Sequence, residues 1–171
     1  MKTLSNLKSS FAKNKILEIA TLLLFGFVAQ AQTKKTLNLY FTNGKDNFTT
    51  ATTSGAEWAL GTNYTFVRVE GYVLNSPVSG TVPLKSYWSA ARGDSFTTAT
   101  DIGVQSALGA GYQFARIEGY VYREQIAGTV PLKLYWSDAR EDNFTTATEI
   151  GARSAVGAGY RFVSIEGYVF P

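Results

Sequence analysis

Three stretches decide the fold: Tyr64–Leu74 (YTFVRVEGYVL), Tyr112–Tyr122 (YQFARIEGYVY) and Tyr160–Phe170 (YRFVSIEGYVF). Each is rich in aromatic and β-branched residues, the composition of a strand. Each also carries Glu-Gly-Tyr-Val at the same place: Glu70, Glu118 and Glu166 are spaced by 48 residues, as are Phe48, Phe96 and Phe144. A glycine inside a strand marks a bulge or a close backbone approach. Strict alternation along the third stretch puts Tyr160, Phe162, Ser164, Glu166 and Tyr168 on one face. Arg161, Val163, Ile165, Gly167 and Val169 fall on the other, the expected core face.

Working outward, the repeated segment grows to a unit of about 48 residues, the signature of an internal repeat. The copies span 37–83, 84–131 and 132–171, the first being one residue shorter in its first turn. Each reads as four pieces. A first strand covers Leu37–Thr42, Leu84–Ser89 or Leu132–Ser137. A second covers Asn47–Ala51, Ser95–Ala99 or Asn143–Ala147. A short helix follows, N-capped by Thr52, Thr100 or Thr148 and stopped at Gly61, Gly109 or Gly157. Asn63, Gly111 and Gly159 suit a left-handed position after it. The Glu-Gly-Tyr-Val strand comes last. Pro83 and Pro131 are expected to open their strands.

The fold class expected is mainly β with one short helix per repeat. One copy buries little apolar surface alone. Three internal repeats closed around a pseudo-threefold axis bury it together, and a β-trefoil-like arrangement is one form of this.

Residues 1–31 read differently from the rest. A basic head (Lys2, Lys8, Lys13, Lys15), an apolar run Ile19–Val28 and Ala29-Gln30-Ala31 have the order of a secretory signal peptide. The apolar run is shorter than the ~20 residues of a membrane span. The expected location is secreted or periplasmic, with 32–171 as one domain and no membrane insertion after cleavage. Cleavage removes four of the 16 Lys+Arg and one of the 13 Asp+Glu, which leaves a formally neutral chain. No basic patch remains to suggest nucleic acid. The sequence has neither Cys nor His, which excludes Ser-His-Asp and Cys-His catalysis and thiolate or imidazole metal sites. An oxygen-ligated Ca²⁺ site stays open, but no Asp-rich loop of the usual kind is present, so no cofactor and no metal are expected.

The combination of DNFTTAT (Asp142–Thr148), the capped helix, the Ala-Gly-Tyr and Gly-Tyr-Val signatures and the Gly-Thr-Val-Pro link resembles a tandem "repeat of unknown function" of secreted microbial proteins. That repeat is often appended to cell-wall hydrolases. The resemblance covers Leu37 to Phe170 and implies a secreted, non-catalytic accessory domain that binds a cell surface or glycans. The chain departs from it where Asn47, Ser95 and Asn143 stand in place of a frequent His, and where Glu replaces a frequent small residue before Gly-Tyr-Val.

The candidate ligand-binding residues are Tyr40, Tyr87 and Tyr135, which alternation places on an outer face; Asp46, Asp94 and Asp142 in the first turn; Asn47 and Asn143 beside them; and Glu70, Glu118 and Glu166. Alternation sends Phe41, Trp88 and Trp136 to the core. Two roles fit the repeated Glu. It stitches neighbouring copies by accepting bonds from Arg, Tyr or Thr, or it lies with aromatic rings in one sugar pocket per copy. Two roles also fit the Asp, a turn-fixing bond to backbone N–H groups or a ligand contact. The functional expectation is a non-catalytic module, multivalent for glycans or cell-wall polymer and acting as a monomer. The alternatives are a structural or protein-interaction domain without a small ligand, and a carboxylate-based glycoside hydrolase.

Overall fold

A computed structural model describes residues 32–42 and 46–171. The expected signal peptide lies outside the described residues, as do three residues of the first turn. The described chain is mainly β with three short helices. Its elements run β1 (Lys34–Thr42), β2 (Asp46–Thr50), α1 (Thr53–Gly61), β3 (Thr65–Leu74), β4 (Thr81–Ser89), β5 (Asp94–Thr98), α2 (Asp101–Gly109), β6 (Gln113–Tyr122), β7 (Val130–Ser137), β8 (Asp142–Thr146), α3 (Glu149–Gly157) and β9 (Arg161–Val169).

In each sequence copy the first strand pairs antiparallel with both the second and the last. The sheet is an open path, β2-β1-β3-β6-β9-β7-β8, with β4 and β5 branching off β6. The copies meet through single bridges, Leu74 with Tyr120 and Tyr122 with Tyr168. An isolated bridge joins Tyr72 to Phe170. The apolar centre takes two residues from each copy: Leu37 and Val73, Leu84 and Val121, Leu132 and Val169.

The helices follow the sequence signals. Thr52, Thr100 and Thr148 accept from the backbone N of Gly55, Gly103 and Gly151 at 3.0–3.1 Å. The helices end at Gly61, Gly109 and Gly157, and Asn63, Gly111 and Gly159 have positive φ. Pro83 and Pro131 lie inside their strands rather than at the first residue. Both precede the part of the strand that pairs with the second strand, so no ladder partner needs their missing N–H.

Strict alternation fails along the last strands, and the cause is two bulges in each. Leu132 pairs with Gly167 but Lys133 with Ile165, which leaves Glu166 unpaired; a second slip leaves out Val163. The same slips leave out Glu70 and Val67 in β3, and Glu118 and Ala115 in β6. Each extra residue reverses the parity. Val163 and Ile165, expected in the core, are therefore exposed, while Glu166 is buried beside Gly167 and Val169. The repeated Gly has both expected reasons. Gly167 has φ 139°, and a Cβ there would lie 2.6 Å from Val121 Cγ2 and 2.9 Å from the Tyr122 carbonyl oxygen.

Candidate functional site

The bulged glutamates reach into neighbouring copies. Glu70 Oε2 accepts from the Thr146 and Thr148 hydroxyls at 2.6 and 2.9 Å and from the backbone N of Ala147 and Thr148. Glu118 Oε2 accepts from Thr50 Oγ1 at 2.6 Å and Ala51 N at 2.9 Å. Glu166 Oε2 accepts from Thr98 Oγ1 at 2.6 Å, Ala99 N at 2.9 Å, and the N and hydroxyl of Thr100. Each carboxylate thus sits beside the N-cap of another copy's helix, where negative charge is favoured. The other oxygen is met by Arg68 Nε at 2.7 Å in the first copy and Ser164 Oγ at 2.6 Å in the third. In the second, Arg116 stands 3.6 Å from Glu118 Oε1, an ion pair without a hydrogen bond. All three glutamates are at most 1 % exposed. They stitch the copies, and no outside ligand reaches them without displacing those bonds.

The aspartates converge. Asp46, Asp94 and Asp142 are buried, and one carboxylate oxygen of each lies within 4.8 Å of the others. Both oxygens of every one are already hydrogen-bonded. The backbone N of Ser95, Asn143 and Asn47 donates to Asp46, Asp94 and Asp142 respectively at 3.1–3.3 Å. The Asn143 and Asn47 side chains donate to Asp94 and Asp142 at 2.9 and 2.8 Å. Tyr64, Tyr112 and Tyr160 donate their hydroxyls to the aspartate of their own copy. Burial, then the Asp142 charge, pushes the Asp46 carboxyl up to about 7. Burial, then the facing Asp142 and Asp46, pushes Asp94 up to about 10. A proton held within the triad relieves the repulsion of three charges in a dry place. Burial and the adjacent carboxylates raise the three Tyr hydroxyls as well. The aspartates bond backbone N–H groups as expected, but those of a neighbouring copy rather than of their own turn.

The outer-face assignment of Tyr40, Tyr87 and Tyr135 is overturned: they are 3–5 % exposed. Each packs with a Phe and an Ala of its own copy's helix, which covers the face that alternation treated as open. Phe41, Trp88 and Trp136, expected in the core, are only half-buried. The two tryptophans line clefts where adjacent copies meet.

Those junctions are not alike. Between the first and second copies, Trp58 of α1 packs edge-on against Phe48 and Trp88, at ring distances of 5.3 and 5.1 Å. Ser86 and Arg116 also line this junction, and a cavity of about 150 Å³ is left. Between the third and first, Arg68 lies over Phe144. Between the second and third, Ser106 stands in the Trp58 position and Ser164 in the Arg68 and Arg116 position. The two small side chains leave a cleft of about 480 Å³, the size of a small-molecule site. Phe96, Tyr112, Leu134, Trp136 and Val163 form its apolar walls, and Arg92, Asn143 and Arg161 supply polar groups.

Of the candidate residues read from the sequence, only Asn143 borders this cleft; Glu166 lines a smaller neighbouring one. Ser106, Arg92, Arg161, Tyr112 and Trp136 were missed as site residues. The signal for them is the aligned column Trp58, Ser106, Ser154 beside Arg68, Arg116, Ser164.

No curated protein and no solved structure matches the chain. One family model does match, across residues 35–170. The chain belongs to that family, described as a domain of unknown function, DUF5648.

Proposed function

We propose that the chain is a non-catalytic binding module that takes a saccharide in the cleft between α2 and the strands β7 and β9. The observation that carries this reading is the cleft itself, with a half-exposed indole, apolar walls and a few polar groups, the usual make-up of a small-molecule site. It stands at one junction, of about 480 Å³, where the repeat pattern leads to three equal pockets; the described residues of the first junction leave about 150 Å³. The non-catalytic half of the reading rests on the carboxylates: every Asp and Glu of the two repeated sets is buried and held by protein donors. A hydrolase needs one carboxyl free to protonate a leaving group and a second to act as base or nucleophile.

The same reading treats the chain as three internal repeats closed about a pseudo-threefold axis. Three bond sets support closure because each returns from the third copy to the first. The Thr49, Thr97 and Thr145 hydroxyls donate in turn to the carbonyls of Thr145, Thr49 and Thr97. The glutamate and aspartate bonds circle likewise. A secreted or periplasmic module of this kind, with cell-wall polymer as its target, agrees with the sequence of residues 1–31 and with the resemblance to repeats appended to cell-wall hydrolases.

The test is binding of the purified protein to a glycan array and to purified cell-wall polymer, alongside Ser106→Trp. Trp58 occupies the matching helix position in the first copy, so the larger side chain is compatible with the fold. Saturable binding by the wild type that Ser106→Trp abolishes supports the proposal. Binding that Ser106→Trp leaves intact refutes the cleft, and no binding across the array refutes the saccharide reading.

A further inference from the structure

We infer that the saccharide unit taken by this cleft carries a carboxylate; the inference rests on the saccharide reading above. Two arginines line the cleft, one from each side of the junction, and no acidic residue does. Arg92 comes from the turn before β5, and Arg161 opens β9. Their present partners stand on the turn between β7 and β8, outside the lining: Glu141 is 3.9 Å from Arg92, and Asp138 is 3.3 Å from Arg161. Both acids are largely exposed, and exposed pairs of this kind are weak, about 0–1 kcal/mol. A ligand carboxylate against apolar walls offers the guanidinium groups a better-ordered partner, with two parallel N–H bonds available from each.

Of the two arginines, Arg161 is specific to the open junction. At the Arg161 position the other copies have Thr65 and Gln113. Thus the junction with small residues at 106 and 164 is also the one with an arginine at that position. Phe96, Leu134, Val163 and the indole of Trp136 suit the apolar face of a sugar ring, while the guanidinium groups suit a carboxylate on its edge.

The experiment is calorimetric titration of the full protein with trimers of galacturonate, glucuronate, mannuronate and guluronate. Each trimer is compared with its methyl ester, which keeps the ring and removes the charge. The expected result is that at least one acid binds about 10-fold or more tightly than its ester. Arg161→Gln brings the two within about 2-fold, and added salt narrows the gap. Equal binding of an acid and its ester, lost in Ser106→Trp, overturns the charge inference and leaves the saccharide reading standing. Ester binding with no acid binding overturns the inference in the same way. Failure of all acids and all esters overturns the charge inference, while the saccharide reading is decided by the glycan array. An acid preference that survives in Ser106→Trp places the site elsewhere and overturns the inference.

Discussion

Raising the pH should weaken this fold, and Asp94→Asn should remove much of that loss. The triad places three carboxyls within 4.8 Å of one another, away from water. Asp46 ionises near 7 in the fold and near 3.8 in the unfolded chain; Asp94 is pushed higher still. The folded chain therefore holds more protons than the unfolded chain over this window. Stability is fully present below about pH 3.8 and falls as pH rises through the folded values. Each such carboxyl withdraws up to about 1.4 kcal/mol per pH unit. From pH 3.8 to about 7, Asp46 alone removes on the order of 4 kcal/mol. An Asn at 94 cannot ionise, so its share of the pH dependence is gone, while its amide NH2 replaces an oxygen that accepts from Asn143 and Tyr112 and costs stability at every pH. Relative to the wild type, the variant should be more stable at about pH 9 than at about pH 5, by up to about 5 kcal/mol across those four pH units. Urea titrations followed by tryptophan fluorescence at both pH values measure this. Equal destabilisation of the variant at both would refute the reasoning, because it would mean that the triad stabilises the fold as charged groups.

Glu118→Gln should lower stability by about 1–3 kcal/mol, because the buried acceptor of Thr50 and Ala51 loses its charge; thermal unfolding reads it, and saccharide binding in the folded fraction should not change. Gly167→Ala should cost about 2 kcal/mol or more, since it combines a positive φ with a Cβ pressed on Val121 and the Tyr122 carbonyl; an unchanged denaturation midpoint would contradict the bulge account. Trp58→Ser should cost about 2–4 kcal/mol by emptying the first junction; an unchanged thermal midpoint would contradict the account of how that junction packs.

The sequence made the unit legible but not the packing between units. Helix caps, helix stops and the left-handed Asn63, Gly111 and Gly159 are local, and local chemistry is readable from one stretch of chain. The bulge at Gly-Tyr-Val was readable because glycine in a strand has few other causes. Its consequence was harder to foresee: a second slip at Val67, Ala115 and Val163 has no glycine to announce it. Two reversals of parity in one strand defeat any alternation argument. Tyr40, Tyr87 and Tyr135 were misplaced because the helix that buries them comes later in the chain and is short, with little apolar stripe to advertise where it docks. The glutamate's role as a stitch between copies was one of two readings its pattern allowed, and only the partners' positions decide it. The cleft arises from differences between copies, at Ser106 and Ser164, and a repeat pattern displays only what the copies share.

The most direct test of the cleft between the second and third copies is amide chemical-shift mapping of the protein titrated with whichever of the four uronic acid trimers it binds most tightly. The account predicts shifts concentrated at Gly103, Ser106, Ala110, Asn143 and Ser164, with the corresponding residues of the other two junctions, among them Trp58 and Ser154, unmoved. Shifts of similar size at all three junctions, or none at Ser106 and Asn143, would contradict it.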